Sequence, residues 1–147
     1  MSTPEPVAAT VYRKLGGHQV LGEEVTSDAD LARLVRRQIP LRALAHIKRG
    51  GFSDKEIGQF IIPERTQRHR KAKREPLTID ESDRLVRMTR IQALAEDVFG
   101  DATNANRWLR EALPILGNKS PLEIARTDAG ARVIEQILAK IDWGAAA

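Results

Sequence analysis

The chain is predicted to be all-α, a helix-turn-helix domain followed by a small helical domain, and three observations predict this. Residues 99 to 144 place three helix-stop and two helix-start signals between apolar runs at helical spacing. Residues 52 to 88 have the outline of a helix-turn-helix. Between the two motifs lies a long run whose apolar residues spread over a wide helical face.

Bulk composition sets the limits. The 147 residues are one ordinary domain's length or two very small ones, and 41% hydrophobic content suffices for a core. The absence of cysteine excludes disulfides, thiolate metal sites and cysteine nucleophiles, and is compatible with a reducing cytoplasm. The start, MSTPEPVAATVYRKLGG, lacks the basic and apolar segments of a signal peptide, and no apolar run reaches membrane-spanning length. A cytoplasmic protein with no membrane partner is expected. The net charge is +4, and its distribution matters more than its size.

Residues 1–27 carry two early prolines, the Gly16-Gly17 pair and few large apolar residues, which predicts a flexible arm. Within it, Val11, Tyr12 and Leu15 could form one short turn docking on the body. Ser27-Asp28 caps a helix to about Gln38 with Leu31, Leu34 and Val35 inward. Pro40 begins another with Leu41, Leu44 and Ile47 inward, and Gly50-Gly51 ends it. Residues 28–77 form the expected helix-turn-helix domain.

In that domain Ser53 caps a short helix carrying Ile57, Phe60-Ile61 make a tight connection, and Ile62-Pro63 opens the helix that such a unit projects outward. It is strongly basic: Arg65, Arg68, Arg70, Lys71, Lys73 and Arg74, with His69 beside them and only Glu64 opposing. Arg reads guanine edges, Gln67 suits adenine, and Thr66 suits phosphate or a thymine methyl. Lys71, Lys73 and Arg74 are expected to be sequence-blind phosphate contacts. A solvated charged face is the alternative reading of the same run.

Thr78, with Glu81 three residues on, starts the longest helix, in which Leu85, Val86, Met88, Ile91, Leu94, Ala95 and Val98 form the apolar face. Residues 78–98 are either a core helix or a dimer seam. Residues 99–147 form the second domain. Gly100 ends the long helix, Asp101 caps the next, Leu113-Pro114 with Gly117 closes that one, and Ser120-Pro121 with Glu123 restarts the chain. Thr127-Asp128 opens a last helix in which Val133, Ile134, Ile137, Leu138 and Ile141 recur. Trp108, Leu109, Leu116 and Leu122 are expected to pack.

Little points to catalysis. His18, His46 and His69 are far apart, the carboxylates fall at caps and polar faces, and no serine has a nucleophile-elbow frame. No metal site, catalytic residue or cofactor is expected, and the chain reads as a non-enzyme.

Phe99-Gly100-Asp101, Arg107-Trp108-Leu109, L-G-x-x-S-P-L from Leu116, Thr127 to Gly130, and Ile141 to Gly144 together resemble the C-terminal toxin-binding domain of the Xre/MbcA/ParS antitoxin family. The run Ile62-Pro63-Glu64-Arg65-Thr66-Gln67-Arg68, followed by L-T-x-x-E-S-D-R-L from Leu77, resembles the Xre-like helix-turn-helix preceding it. The resemblance spans about residues 50 to 147.

It implies the antitoxin of a type II toxin-antitoxin pair whose partner is a RES-domain toxin that consumes NAD. It further implies a homodimer that represses its own operator DNA and assembles with the toxin into a hetero-oligomer. The implied toxin contacts are Arg132, Lys140, Ile141, Trp143, Gly144, Ala145, Ala146 and Ala147, reaching the toxin's active-site cleft. Trp143 would anchor there or pack back on its own domain. The chain departs from the family pattern at Arg110 to Pro114, at Gly117-Asn118 where Gly-Gly is frequent, and over the last six residues. The alternatives are a stand-alone regulator whose C-terminal module only dimerises and an adaptor that never touches DNA.

Overall fold

The computed structural model describes residues 5–146, which form ten α-helices and one 3-10 turn and contain no strand. The helices are α1 (Val7–Lys14), α2 (Gly17–Leu21), α3 (Asp28–Arg36), α4 (Ala43–Arg49), α5 (Asp54–Phe60), α6 (Glu64–Ala72), α7 (Ile79–Phe99), α8 (Ala102–Arg110), α9 (Pro121–Ile124) and α10 (Asp128–Ala146), with the 3-10 turn at Pro114–Leu116. Two compact units divide inside α7, Met1–Thr89 and Arg90–Ala147.

Helix starts follow local chemistry. Ser27, Ser53 and Ser120 each accept the backbone N–H three residues on, while Asp30, Glu56 and Glu123 reach back to the cap residue's own N–H. Thr78 and Glu81 make the same reciprocal pair, and Asp101 and Thr127 cap α8 and α10 with one bond each. The Asp30 carboxyl is held down at about 2, first by the Thr26 N–H and then by Arg33.

The first unit buries Leu31, Leu34, Ile39, Leu44, Ile47, Phe52, Ile57, Phe60, Ile61, Ile62, Leu77, Leu85 and Met88. Val35 and Leu41 are half-buried. Residues 7–25 correct the expectation of an arm. Ala8, Val11, Leu15, Val20 and Val25 are buried, and α1 packs on α3. The stripe Ala8, Val11, Leu15 recurs at three and four residues and docks the helix, as the expected turn of Val11 and Leu15 on the body requires. The Gly16-Gly17 pair is a tight reversal rather than a flexible hinge. Gly16 has φ +110°, and a Cβ there would lie 2.3 Å from Val20 Cγ2. Residues 1–4, with one of the two early prolines, lie outside the described residues.

Two polar ties close this unit around its buried residues. The Ile39 N–H donates to Ser82 Oγ at 2.9 Å, and the Ile39 carbonyl accepts the Leu77 N–H at 2.9 Å, so both backbone groups of a buried residue are satisfied. The second tie is the ion pair of Arg70 with Glu81 at 3.0 Å, their side chains only 13% and 8% exposed. Arg70 also donates to the Pro76 carbonyl, and Glu81 is the carboxylate that accepts the Thr78 N–H.

In the second unit Ile91, Ala95, Ala105, Leu109, Leu122, Ala125, Ala131, Ile134 and Leu138 are buried. Trp108 and Leu116 are half-buried, Trp108 lying 5.5 Å from Phe99 between ring centroids. Val133 corrects the predicted inward face of α10, being 42% exposed, with Ile137 and Ile141 at the margin of the buried stripe. Arg90 pairs with Glu135 at 2.8 Å, and Gln92 donates to Asn106 at 3.0 Å. The approach of α9 to α10 is very close. A Cβ on Gly130 would sit 1.8 Å from the Ile124 carbonyl oxygen, so only glycine fits.

Arg70→Ala is expected to destabilise the protein by about 3 kcal/mol, because it strands a buried carboxylate, whereas Arg68→Ala should change stability by less than about 0.5 kcal/mol. Urea unfolding followed by circular dichroism checks both. Gly130→Ala forces a side chain into backbone and should cost about 3 kcal/mol, read as a lowered melting temperature, while Gly144→Ala, with open space around it, should not lower it.

Candidate functional site

The first candidate surface is α6. Glu64 to Ala72 contains no buried residue, so packing of an apolar stripe does not hold this helix. Polar ties do. Gln67 Nε2 donates to the Ile62 carbonyl at 2.9 Å, Arg84 Nε donates to the Ile61 carbonyl at 2.9 Å, and Arg70 reaches Glu81. The α5 capping box and the short connection Ile61 to Pro63, whose two isoleucines are buried, fix where α6 begins.

The predicted site residues then separate. Arg65, Arg68 and His69 are exposed and share the outward face at helical spacing, with Thr66 half-buried beside them. Arg68 pairs with Glu64 at 3.6 Å, an exposed contact of little energetic weight. No side chain caps the N-terminus of α6, so its first N–H groups add to the positive potential of this end. One expectation needs correction. Arg70 belongs to the buried ion pair rather than to the outward face, since α6 turns positions 66 and 70 toward the body of its unit. Gln67 uses one N–H of its side-chain amide on the Ile62 carbonyl and keeps its second N–H and its carbonyl oxygen.

Lys71 and Arg74 line a groove of about 800 Å³ along α4 and the start of α5, floored by Leu41, Leu44 and Ile57. Arg42 and Lys48, absent from the sequence-based set, line it too. Each already has a partner: Lys48 pairs with Asp54 at 2.8 Å, and Arg42 donates to the Gln19 carbonyl at 3.1 Å. Lys73 is exposed, and Arg74 turns the chain with φ +56°. What could have revealed Arg70 in the sequence is its four-residue spacing from Thr66, opposite the Arg65 and Arg68 strip.

The second candidate surface is the end of α10. Ile134 and Leu138 define its buried stripe, while Arg132, Val133, Lys140 and Trp143 are exposed, Trp143 at 80%. Trp143 therefore does not pack back on its own unit. Arg132 pairs with Asp128 within the helix, and Ile141 is half-buried. Gly144 is helical with nothing within 4 Å of a Cβ built on it, so the surrounding fold gives no reason for glycine there. The side chains of Ala145 and Ala146, and the whole of Ala147, lie outside the described residues.

Among the described residues no group of three or more His, Asp or Glu side chains could hold a metal ion, and no helix is long and apolar enough to cross a membrane. Together the surfaces offer a basic helix suited to a polyanion and an apolar-tipped helix suited to a protein pocket.

Comparison with known proteins gives the same division. Residues 30–90 match the antitoxin Xre-like helix-turn-helix domain, and residues 94–144 match the antitoxin Xre/MbcA/ParS C-terminal toxin-binding domain. The likeness thus begins at residue 30, well before residue 50, and takes in α3 and α4. The chain is 40% identical over 97 residues to Antitoxin Xre of Pseudomonas putida, covering 66% of this chain and 60% of that protein. It is 30% identical over 84 residues to Antitoxin Xre of Yersinia enterocolitica, covering 56% of this chain and 57% of the other. A Prs ADP-ribosylating antitoxin from a Sphingobium species is 28% identical over 83 residues, half of each chain in round terms (50% and 52%). The chain spans between about half and three fifths of these curated relatives' lengths. With residues 30–90 matching the Xre-like helix-turn-helix domain and residues 94–144 the C-terminal toxin-binding domain in that order, the chain belongs to the Xre/MbcA/ParS antitoxin family.

Proposed function

We propose that this antitoxin neutralises a RES-type, NAD-degrading toxin by filling its active-site cleft with the end of α10, and that its α6 binds operator DNA to repress its own operon. It acts by occlusion and needs no catalytic group of its own. The observation that carries the first half is Trp143, a large aromatic 80% exposed at the end of a helix inside the matched toxin-binding domain. Such residues supply most of the energy of an interface when a pocket desolvates them. Gly144 beside it lets a partner backbone approach closely, which a Cβ would prevent.

The NAD-consuming partner has further support. ADP-ribosylation draws its ADP-ribosyl group from NAD, and a relative of this chain is named as a Prs ADP-ribosylating antitoxin. The DNA-binding half rests on Arg65, Arg68 and His69, with Lys71, Lys73 and Arg74 as phosphate contacts. A homodimer would set two such helices against a two-fold operator, and with the toxin it would form a hetero-oligomer in the cytoplasm.

Reversing charge at Arg65 and Arg68 should abolish operator binding in a gel-shift assay while toxin neutralisation persists. Loss of neutralisation in that variant would count against the division of labour. Removing residues 143–147 should leave the melting temperature unchanged, since Trp143 is not part of the core, and should restore toxicity of the co-expressed partner. A truncated chain that still protects cells would refute occlusion.

A further inference from the structure

Ala112, Leu113, Pro114, Ile115 and Leu116 are five consecutive apolar residues, of which Leu113 and Leu116 are half-buried and Ala112, Pro114 and Ile115 are exposed. The two leucines anchor the segment and leave the apolar residues between them facing outward, where a partner could cover them. At the apex stands Ile115, 79% exposed, in the middle of the 3-10 turn.

The knuckle is rigid. The Leu113 N–H donates to the Lys119 carbonyl at 3.1 Å, and the Leu113 carbonyl accepts from Leu116 and Asn118 at 2.9 Å each, so the loop is closed by its own backbone. Pro114 fixes one φ, and Gly117 and Asn118, at +67° and +63°, supply the left-handed exit. A β-branched side chain on such a loop has little conformational freedom left to lose on binding. The surface is convex, aliphatic and uncharged at its tip, which suits a concave aliphatic pocket on a folded protein and offers nothing to a phosphate backbone.

We infer that the knuckle from Ala112 to Leu116, tipped by Ile115, is a second docking element for the toxin, separate from the end of α10. This rests on the toxin-binding reading of residues 94–144, within which the knuckle lies. Ile115 plugs an aliphatic pocket on the toxin and so adds affinity and partner selectivity, while α10 blocks the cleft.

The test uses the full-length chain and the protein encoded by the adjacent reading frame. Affinity is measured by calorimetry for the wild type, Ile115→Asp, Ile115→Val and Trp143→Ala, with thermal unfolding and sedimentation of each. The expected result is about a 30-fold loss of affinity for Ile115→Asp, retention of most affinity for Ile115→Val, and unchanged melting and oligomeric state for both. Undiminished affinity in Ile115→Asp, with Trp143→Ala weakened, would overturn the knuckle and leave the occlusion model standing. A lowered melting temperature would make Ile115 part of its own fold, and a change of oligomeric state at unchanged affinity would make it a contact between copies of this chain; either overturns the inference. A wild-type chain that does not bind the neighbour at all would remove the toxin-binding reading and the knuckle with it.

Discussion

The pairing of Arg70 with Glu81 is the constraint on which the presentation of α6 depends. A helix that buries no apolar side chain gains almost nothing from the hydrophobic effect, and its nine residues are too few for a helix to persist alone in water. It stays in place because a guanidinium at its inner side finds a carboxylate at the start of α7, in surroundings dry enough to strengthen the attraction. Glu81 is already the reciprocal partner of Thr78, so starting α7 and seating α6 are one hydrogen-bond network. Ser82, the next residue, closes the same unit through Ile39.

Helix boundaries were legible in the sequence because they are set by groups three residues apart. Ser27, Ser53, Thr78, Asp101, Ser120 and Thr127 each cap where their spacing predicts. Side-chain destinations were not, because they are decided by partners far along the chain, such as the Ile39 N–H for Ser82 and Glu135 for Arg90. Arg70 differs from the rest of the basic run only in its register with Thr66, and the partner that explains it, Glu81, lies on the next helix. The helices of residues 7–21 were legible only in part. Val11 and Leu15, expected in one short docking turn, are fully buried, but Ala8 and Val20 are small, and a glycine pair that composition alone equates with flexibility is the tight reversal that stacks the two helices.

In the second unit, α10 contains two glycines with opposite meanings. At Gly130 the carbonyl of Ile124 leaves no room for a side chain, so glycine is demanded by the protein itself. At Gly144 the space is open, and a helix would gain from alanine there. A residue that weakens its own helix without internal cause is consistent with a demand from outside, beside a tryptophan that also lacks an internal partner. The Gly117-Asn118 exchange of the family's usual pair is physically mild, since both residues sit in the left-handed region that asparagine tolerates.

The absence of any buried apolar side chain on α6 separates what the helix displays from what keeps the protein folded. Residues at 65, 68 and 69 can be exchanged for others of different size and charge with no cavity left behind and no core to repack. A lineage can therefore rewrite the charge and shape of this face one side chain at a time without passing through an unfolded ancestor, provided the arginine hidden on the opposite side is left alone.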